Sequence, residues 1–593
     1  MQLFNGDLPD IQNPNISSLF CVMNQSSKQY TVDDGVQMIG PLLVVLSDVD
    51  DAAVTPSLNQ FGGAVAAFLE MYGFGMHAAV TPANARVALT SKKWAAAIIL
   101  HQSDWSMIES LTDLFERHTG AYFLEGPIST ELAAKIGLSV APVRGNQLFE
   151  AVTPPGRLSE HLQTCFDGYI RGEAISLEPI ISSVGRIEVD ASGKKTVREE
   201  AITSAFHNSI SNCQNIVGFD EVFLTLPSVN ASILGRKGKS VVAGAPLFNL
   251  VCQRLGVPSM PAPWRRATGE RNGENLDLLL LLSLGQTAAA HGCPLVSIEP
   301  WPDGVAHPIT LRHDVDRPVA SADWERLLNW QDQAGIRPTW YYLSSTVDKG
   351  RIAETVARGH EIALHYTNLQ KKGAAEHDVL LQAVISTGSH VVGASCHGGN
   401  YHGARDLMWL EQAGFQYAEV LTRCAFFPFR AVSADNDNAW ASGSNIWAVA
   451  RHLSVDKKMS PPEADFGYGL RTRAARTRFG AHAVIMNHPD INFEATVAAV
   501  ESYQGAGVEC WTQAEVIEWW RETHMTGAIH IRYTCGSDGF RLSTSQQQRR
   551  APVLRVWADV IAPNGAKKSN AFGPVHTLFP ADREAHFLLR DTV

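Results

Sequence analysis

The chain has 593 residues, 45% hydrophobic and 18% charged. This is an ordinary globular composition that excludes bulk disorder, and the length exceeds what one core of roughly 250–300 residues can fill. Acidic residues outnumber basic ones by 60 to 49 with no dense Lys/Arg stripe, which excludes the basic footprint that nucleic acid or an anionic membrane requires. Nine cysteines are dispersed from Cys21 to Cys535 without a C-x-x-C pair, the usage of reduced thiols rather than of a disulfide framework.

Residues 1–40 are polar and Asn/Ser-rich and read as a loosely held arm. Its opening MQLFNGDLPDIQNPN has neither the basic nor the apolar region of a secretory signal, so the expected location is cytoplasmic. Residues 41–46 (PLLVVL) form a short continuous apolar strand, and further buried strands are predicted at 95–100, 121–124, 221–226 and 240–245, with a helix over 106–119. This alternation predicts a parallel α/β sheet domain over 41–265. The element order, with the late segment Gly235-Arg-Lys-Gly-Lys-Ser-Val-Val-Ala-Gly244, resembles glutamine-amidotransferase-like flavodoxin folds. No Gly-x-Cys-x-Gly nucleophile turn accompanies it, so that chemistry is not carried over and the domain reads as non-catalytic. Asp48, Asp50 and Asp51 follow the first strand, where such sheets present ligands. A capped, solvated strand-to-helix turn is the favoured reading of them.

Residues 266–303 read as a helical connector. Its apolar run 276–284 contains Asp277 and is far short of the roughly 20 residues of a membrane span, so it is expected as a buried helix with no transmembrane segment. A second alternation fills 304–525, with strands expected at 309–315, 338–343, 361–365, 391–396, 416–420, 446–450, 483–487 and 508–511. That number suits a distorted β/α barrel, whose catalytic groups gather at the carboxyl ends of the strands; residues 515–521 (EVIEWWR) read as its closing helix. Residues 526–593 alternate at period two around a Gly536-Ser-Asp-Gly539 turn and predict a small C-terminal antiparallel β module.

The first barrel strand ends Leu311-Arg-His-Asp-Val-Asp316. Strand alternation turns Asp314 and Asp316 to one face and His313 and Val315 to the other. Two close carboxylates are costly without a cation or a shared proton; ion pairing with a neighbour such as Arg317 is the structural alternative. In Gly359-His-Glu-Ile-Ala-Leu-His365 the histidines are five apart and face opposite sides of a strand. His365, which ends it, is the candidate ligand, and His360 reads as packing. His313 and His452 read as structural. Trp340, Tyr341, Tyr342, Trp409 and Trp447 can floor a sugar subsite, but read first as core.

These residues resemble the polysaccharide deacetylases of carbohydrate esterase family four. The likeness lies in ordered motifs: RHDVD, the TWYYL second strand, GHEIALH, the SCHGG loop and Ile485-Met-Asn-His488-Pro. The resemblance implies Asp314 as catalytic base, Asp316 and His365 as metal ligands, and His488 as the group assisting the leaving amine. The family's second metal-binding histidine falls on Leu369 here; His397 in Ser395-Cys-His-Gly-Gly399 is the substitute, with His402 and Arg317 as additional candidates. The implied cofactor is one divalent metal ion, zinc first, with nickel, cobalt, iron or manganese as alternatives; it would polarise the acyl oxygen and acidify water. The implied function is metal-dependent removal of N-acetyl groups from an amino sugar, glycan or glycan precursor. A hydrolase of a small non-sugar amide and a catalytically silent glycan-binding or assembly protein are the alternatives. The expected partner is a carbohydrate or N-acetylated small molecule, and a homo-oligomer is left open.

Overall fold

The computed structural model describes residues 37–46, 58–75, 77–143, 150–151, 175–176, 184–189, 195–200, 213–226, 229–248, 256–257, 273–367, 369–399, 404–420, 427–430, 432–433, 445–450, 453–455, 480–525 and 528, and within 531–589 the segments 531–536, 539–544, 550, 552–557, 560–561, 567–569, 575–578 and 584–589. Asp48, Asp50, Asp51, His402 and His452 lie outside the described residues.

The first sheet is built from β1 (Gln37–Val45), β2 (His77–Val80), β3 (Lys93–Ile99), β4 (Thr119–Glu125), β5 (Glu221–Leu226), β6 (Ala231–Lys237) and β7 (Ser240–Ala243). Parallel pairing runs β2-β1-β3-β4-β7, and β6 and β5 continue it antiparallel. The parallel core of this sheet agrees with the α/β alternation read from the sequence. Its strands read as unbroken apolar runs because both faces are covered. Leu42, Val44, Ile98 and Phe123 enter one core cluster, with α1 (Leu58–Met71); Leu43, Val45, Ile99 and Leu124 enter another, with α2 (Pro82–Ser91) and α3 (Ser106–His118). The connector helix is α4 (Gly273–Ala290). Its leucines belong to the first cluster, and Tyr72 donates a hydrogen bond to the buried Asp277 at 2.8 Å. No helix among the described residues is long and apolar enough to cross a membrane.

After β8 (Leu295–Ile298) comes the sheet that carries the candidate site. Its strands are β9 (His307–Val315), β10 (Thr339–Tyr342), β11 (Glu361–Tyr366), β12 (Gly393–Cys396), β13 (Tyr417–Val420), β14 (Trp447–Ala450), β15 (Leu453–Val455), β16 (Ala483–Asn487) and β17 (Val508–Cys510). They pair in parallel in the order β14-β13-β12-β11-β10-β9-β16-β15, and β17 lies beside the first residues of β9. All eight expected strands are present. The expected distorted barrel is seen as a curled, open sheet, since among the described residues no pairing joins β14 to β15. Helices follow the strands; α5 (Ser321–Ala334) ends at Gly335 with φ 64°, a left-handed cap that costs little only for residues such as glycine. The helix beginning at Gln513 starts with a reciprocal Thr512/Glu515 capping box.

The C-terminal strands are antiparallel as read but do not stand apart as a module. β18 (Ile531–Gly536) pairs with Gln37 and Met38 of β1, extending the first sheet, and β19 (Leu554–Trp557) pairs along β8. Unpaired strand edges leave hydrogen-bonding groups unsatisfied, and these strands satisfy them. The two halves also share apolar contacts, with Tyr72 against Phe427 and Phe74 against Trp557, and Arg430 pairs with the buried Glu70 at 2.5 Å.

Candidate metal centre

Strand β9 supplies the frame. His313 is fully buried on the outer face, its ring 4.2 Å from that of Trp340. Gln331 donates to its Nε2 at 2.6 Å, so Nδ1–H donates to Asn487. Burial pushes its pKa down to about 3, against a smaller raising effect of the Asn487 hydrogen bond. The unfolded histidine titrates near 6.5, so between pH 6.5 and about 3 the unfolded chain binds the extra proton and stability is lost as pH falls. At pH 5 this one group is expected to cost about 2 kcal/mol relative to neutral pH. Urea denaturation at pH 7 and pH 5 checks this; an unchanged midpoint would contradict it.

The inner face carries Arg312 and Asp314. Arg312 Nε donates to Asp314 Oδ1 at 2.5 Å, and Nη2 donates to Asp314 Oδ2 and to Ser395 Oγ, each at 2.8 Å. Its Nη1 pairs with Glu419 of β13, and the guanidinium carbon lies 4.3 Å from the centre of the Tyr341 ring. Arg312, Asp314 and Glu419 are all buried. Such a bidentate fork both fixes a carboxylate and holds it ionised.

Just beyond the end of β9, Asp316 is met by three imidazoles from three other strand ends. His365 Nε2 is 3.2 Å from Asp316 Oδ1, and His397 and His488 Nε2 are each 3.1 Å from Oδ2. His365 Nε2 is also 3.8 Å from Asp314 Oδ2. The Nδ1 of His365 donates to the Ser395 carbonyl at 3.1 Å, which leaves Nε2 as the ligating nitrogen, the support metal-bound histidines commonly receive. His397 sits in the turn after β12, next to Gly398 at φ 65°, with its side chain 43% exposed. For Asp316, burial is the largest influence and raises the pKa, but hydrogen bonds from the three histidines together hold it well below the usual carboxylate range. The His397 pKa is raised, first by its hydrogen bond to Asp316.

One donor each from Asp316, His365 and His397 lies within 4.8 Å of the others. A two-nitrogen, one-oxygen set suits a divalent transition metal, with positions left for water or substrate. The residues present therefore fit such an ion. The other sequence candidates separate. Arg317 does not join the carboxylates: its Nε pairs with Asp490 at 2.5 Å and its side chain is 51% exposed. The cation that does engage Asp314 is Arg312. Leu369, at the position of the family's second histidine, lies in the apolar core. Trp340 Nε1 donates to His360 Nδ1 at 3.1 Å, so His360 packs as read. Trp340, Tyr341, Tyr342 and Trp447 are buried core, and Trp409 packs partly buried against it. Arg312, Ser395 and Glu419 were not singled out in the sequence. The available signal was alternation, which puts Arg312 on the face of Asp314.

No protein-family model matches the sequence, and no curated protein matches it. Solved structures match about a third of the chain at low identity. A polysaccharide deacetylase from Bacillus cereus matches over 35% of this chain and 92% of its own, at 14% identity and TM-score 0.25. A family 4 acetyl xylan esterase from Clostridium thermocellum, solved with a cobalt ion, matches over 36% and 91%, at 13% identity and TM-score 0.22. The chitin deacetylase of the fungal pathogen Colletotrichum lindemuthianum matches over 36% and 88%, at 13% identity and TM-score 0.24.

Proposed function

We propose that this protein is a metal-dependent hydrolase that removes N-acetyl groups from an amino sugar, a glycan or a glycan precursor. The observation that carries the reading is the meeting of three imidazole Nε2 atoms on Asp316, beside an arginine-held carboxylate, Asp314, that is outside the ligand set. Asp316, His365 and His397 would hold a divalent ion, with zinc as the first expectation, which when bound polarises an acyl oxygen and acidifies water. The 3.8 Å separation of Asp314 Oδ2 from His365 Nε2 supports Asp314 as the general base that takes a proton from the attacking water. Arg312 keeps that carboxylate ionised and oriented. His488, partly exposed at the opposite oxygen of Asp316 from His365, is the group that returns a proton to the departing amine, which leaves poorly as an anion. The motif order in the sequence supports an N-acetylated sugar as the substrate class.

The test uses full-length protein stripped with a chelator, then reloaded with Zn2+ or Co2+ and incubated with chitotetraose. About one equivalent of metal per chain and metal-dependent acetate release are expected. Failure to take up metal would overturn the centre; uptake without acetate release from N-acetylated sugars would overturn the substrate class.

A further inference from the structure

The buried cluster around Arg312 is unevenly charged. Asp314 occupies its Nε and one Nη2 hydrogen, Ser395 the other Nη2 hydrogen, and Glu419 the Nη1 arm. A guanidinium holding Asp314 alone would cancel that carboxylate's charge. With Glu419 on its third arm, two buried carboxylates, Asp314 and Glu419, share one buried guanidinium, and a third carboxylate, Asp316, stands beyond it against three imidazoles. Two negative charges are then left over when all three are ionised and the imidazoles are neutral, as metal ligation requires of them. Surplus negative charge spread over a buried pair and the partly exposed Asp316 is costly by itself, and a divalent cation at Asp316, His365 and His397 is the neutralising partner.

We propose that Glu419, which lies outside the donor set, is a positioning residue of the metal centre that acts through Arg312. It fixes the guanidinium fork on Asp314, and it sets the charge deficit that draws a divalent cation into the pocket. This rests on the metal-centre reading above. The cluster is arranged for a loaded site: the metal-free protein bears the repulsion, and the ion relieves it.

Charge-setting and plain scaffolding predict opposite results for the near-isosteric Glu419→Gln. Full-length protein is titrated with Co2+, followed by its visible absorption, and metal-free samples are unfolded in urea. For Glu419→Gln the cobalt spectrum is expected to keep its shape, because the donors are untouched, while Kd weakens about tenfold, the lower end of the effect of outer-shell substitutions. The metal-free midpoint is expected to hold or rise, because a surplus charge has gone. Glu419→Asp, which restores the charge, is expected to recover part of the affinity. An unchanged Kd with a lowered metal-free midpoint would make Glu419 mere scaffolding and overturn the proposal alone. No Co2+ uptake by the unsubstituted chain would overturn the metal centre itself, and this proposal with it.

Discussion

Asp314→Asn is expected to lower hydrolytic turnover by about a hundred- to ten-thousand-fold, the range of a removed general base, while the protein still fills with metal at saturating Zn2+. The three donor atoms of Asp316, His365 and His397 are untouched by this change, although the lost charge weakens the affinity. The amide cannot take a proton from water, and its NH2 faces an Arg312 donor where Oδ2 accepts in the native protein. Asp316→Asn and His365→Ala behave differently. Asp316→Asn replaces the one anionic donor with a neutral amide oxygen and His365→Ala deletes a nitrogen donor, and neither leaves a set strong enough to retain the ion. Metal content by elemental analysis, read beside acetate release, separates the two classes. Full activity in Asp314→Asn would refute its role as base, and stoichiometric metal in His365→Ala would refute that ligand.

Most strands of the two sheets were legible because they are short, largely apolar runs, such as 95–99 and 483–487, as buried parallel strands must be, whereas His77–Val80, Ala231–Lys237 and Leu453–Val455 were not read. The parallel α/β character of the first sheet was legible in the alternation of its elements. The pairing of the C-terminal strands was not, since period-two alternation marks a strand but does not name its neighbour; β18 takes the start of β1, ahead of its pairing with β2, and β19 takes β8, and sequence pattern reveals neither. Within the site, Asp314, Asp316 and His365 could be read because alternation and strand-end position are local properties. His397 could be read only as a replacement for an absent histidine. Its approach to Asp316 depends on β12 pairing with β11, which carries the SCHGG turn alongside His365.

Arg312 was missed for the same reason in stronger form. An arginine in the middle of an apolar strand looks like an interruption until its partners are known, and one of them, Glu419, arrives on a strand far along the chain. Arg317, adjacent to Asp316 in sequence, looked the better counter-ion. Once the strand ends it turns to Asp490 in the loop beyond His488. Proximity in sequence therefore pointed to the wrong arginine, and the strand's alternation pointed to the right one.

Arg312→Met is expected to destabilise the protein by about 3–5 kcal/mol, the cost of removing one partner from a buried ion pair. Arg312 is fully enclosed, and its loss leaves Asp314 and Glu419 buried without their cation. Methionine fills much of the volume and preserves packing on Tyr341, so the loss reports charge and hydrogen bonding rather than a cavity. Arg312→Lys is expected to recover only a minor part, because a single ammonium cannot reproduce a planar fork that reaches both oxygens of Asp314, Ser395 and Glu419 at once. Adding Glu419→Gln to Arg312→Met removes one of the stranded charges, so the double variant should be more stable than Arg312→Met alone, and a double-mutant cycle measures that coupling. Urea unfolding of the metal-free chains supplies all these values. If Arg312→Met cost less than about 1 kcal/mol, within the range of an exposed ion pair, the two carboxylates would have to be protonated or hydrated in the folded protein, and the charge balance assigned to the centre would be wrong.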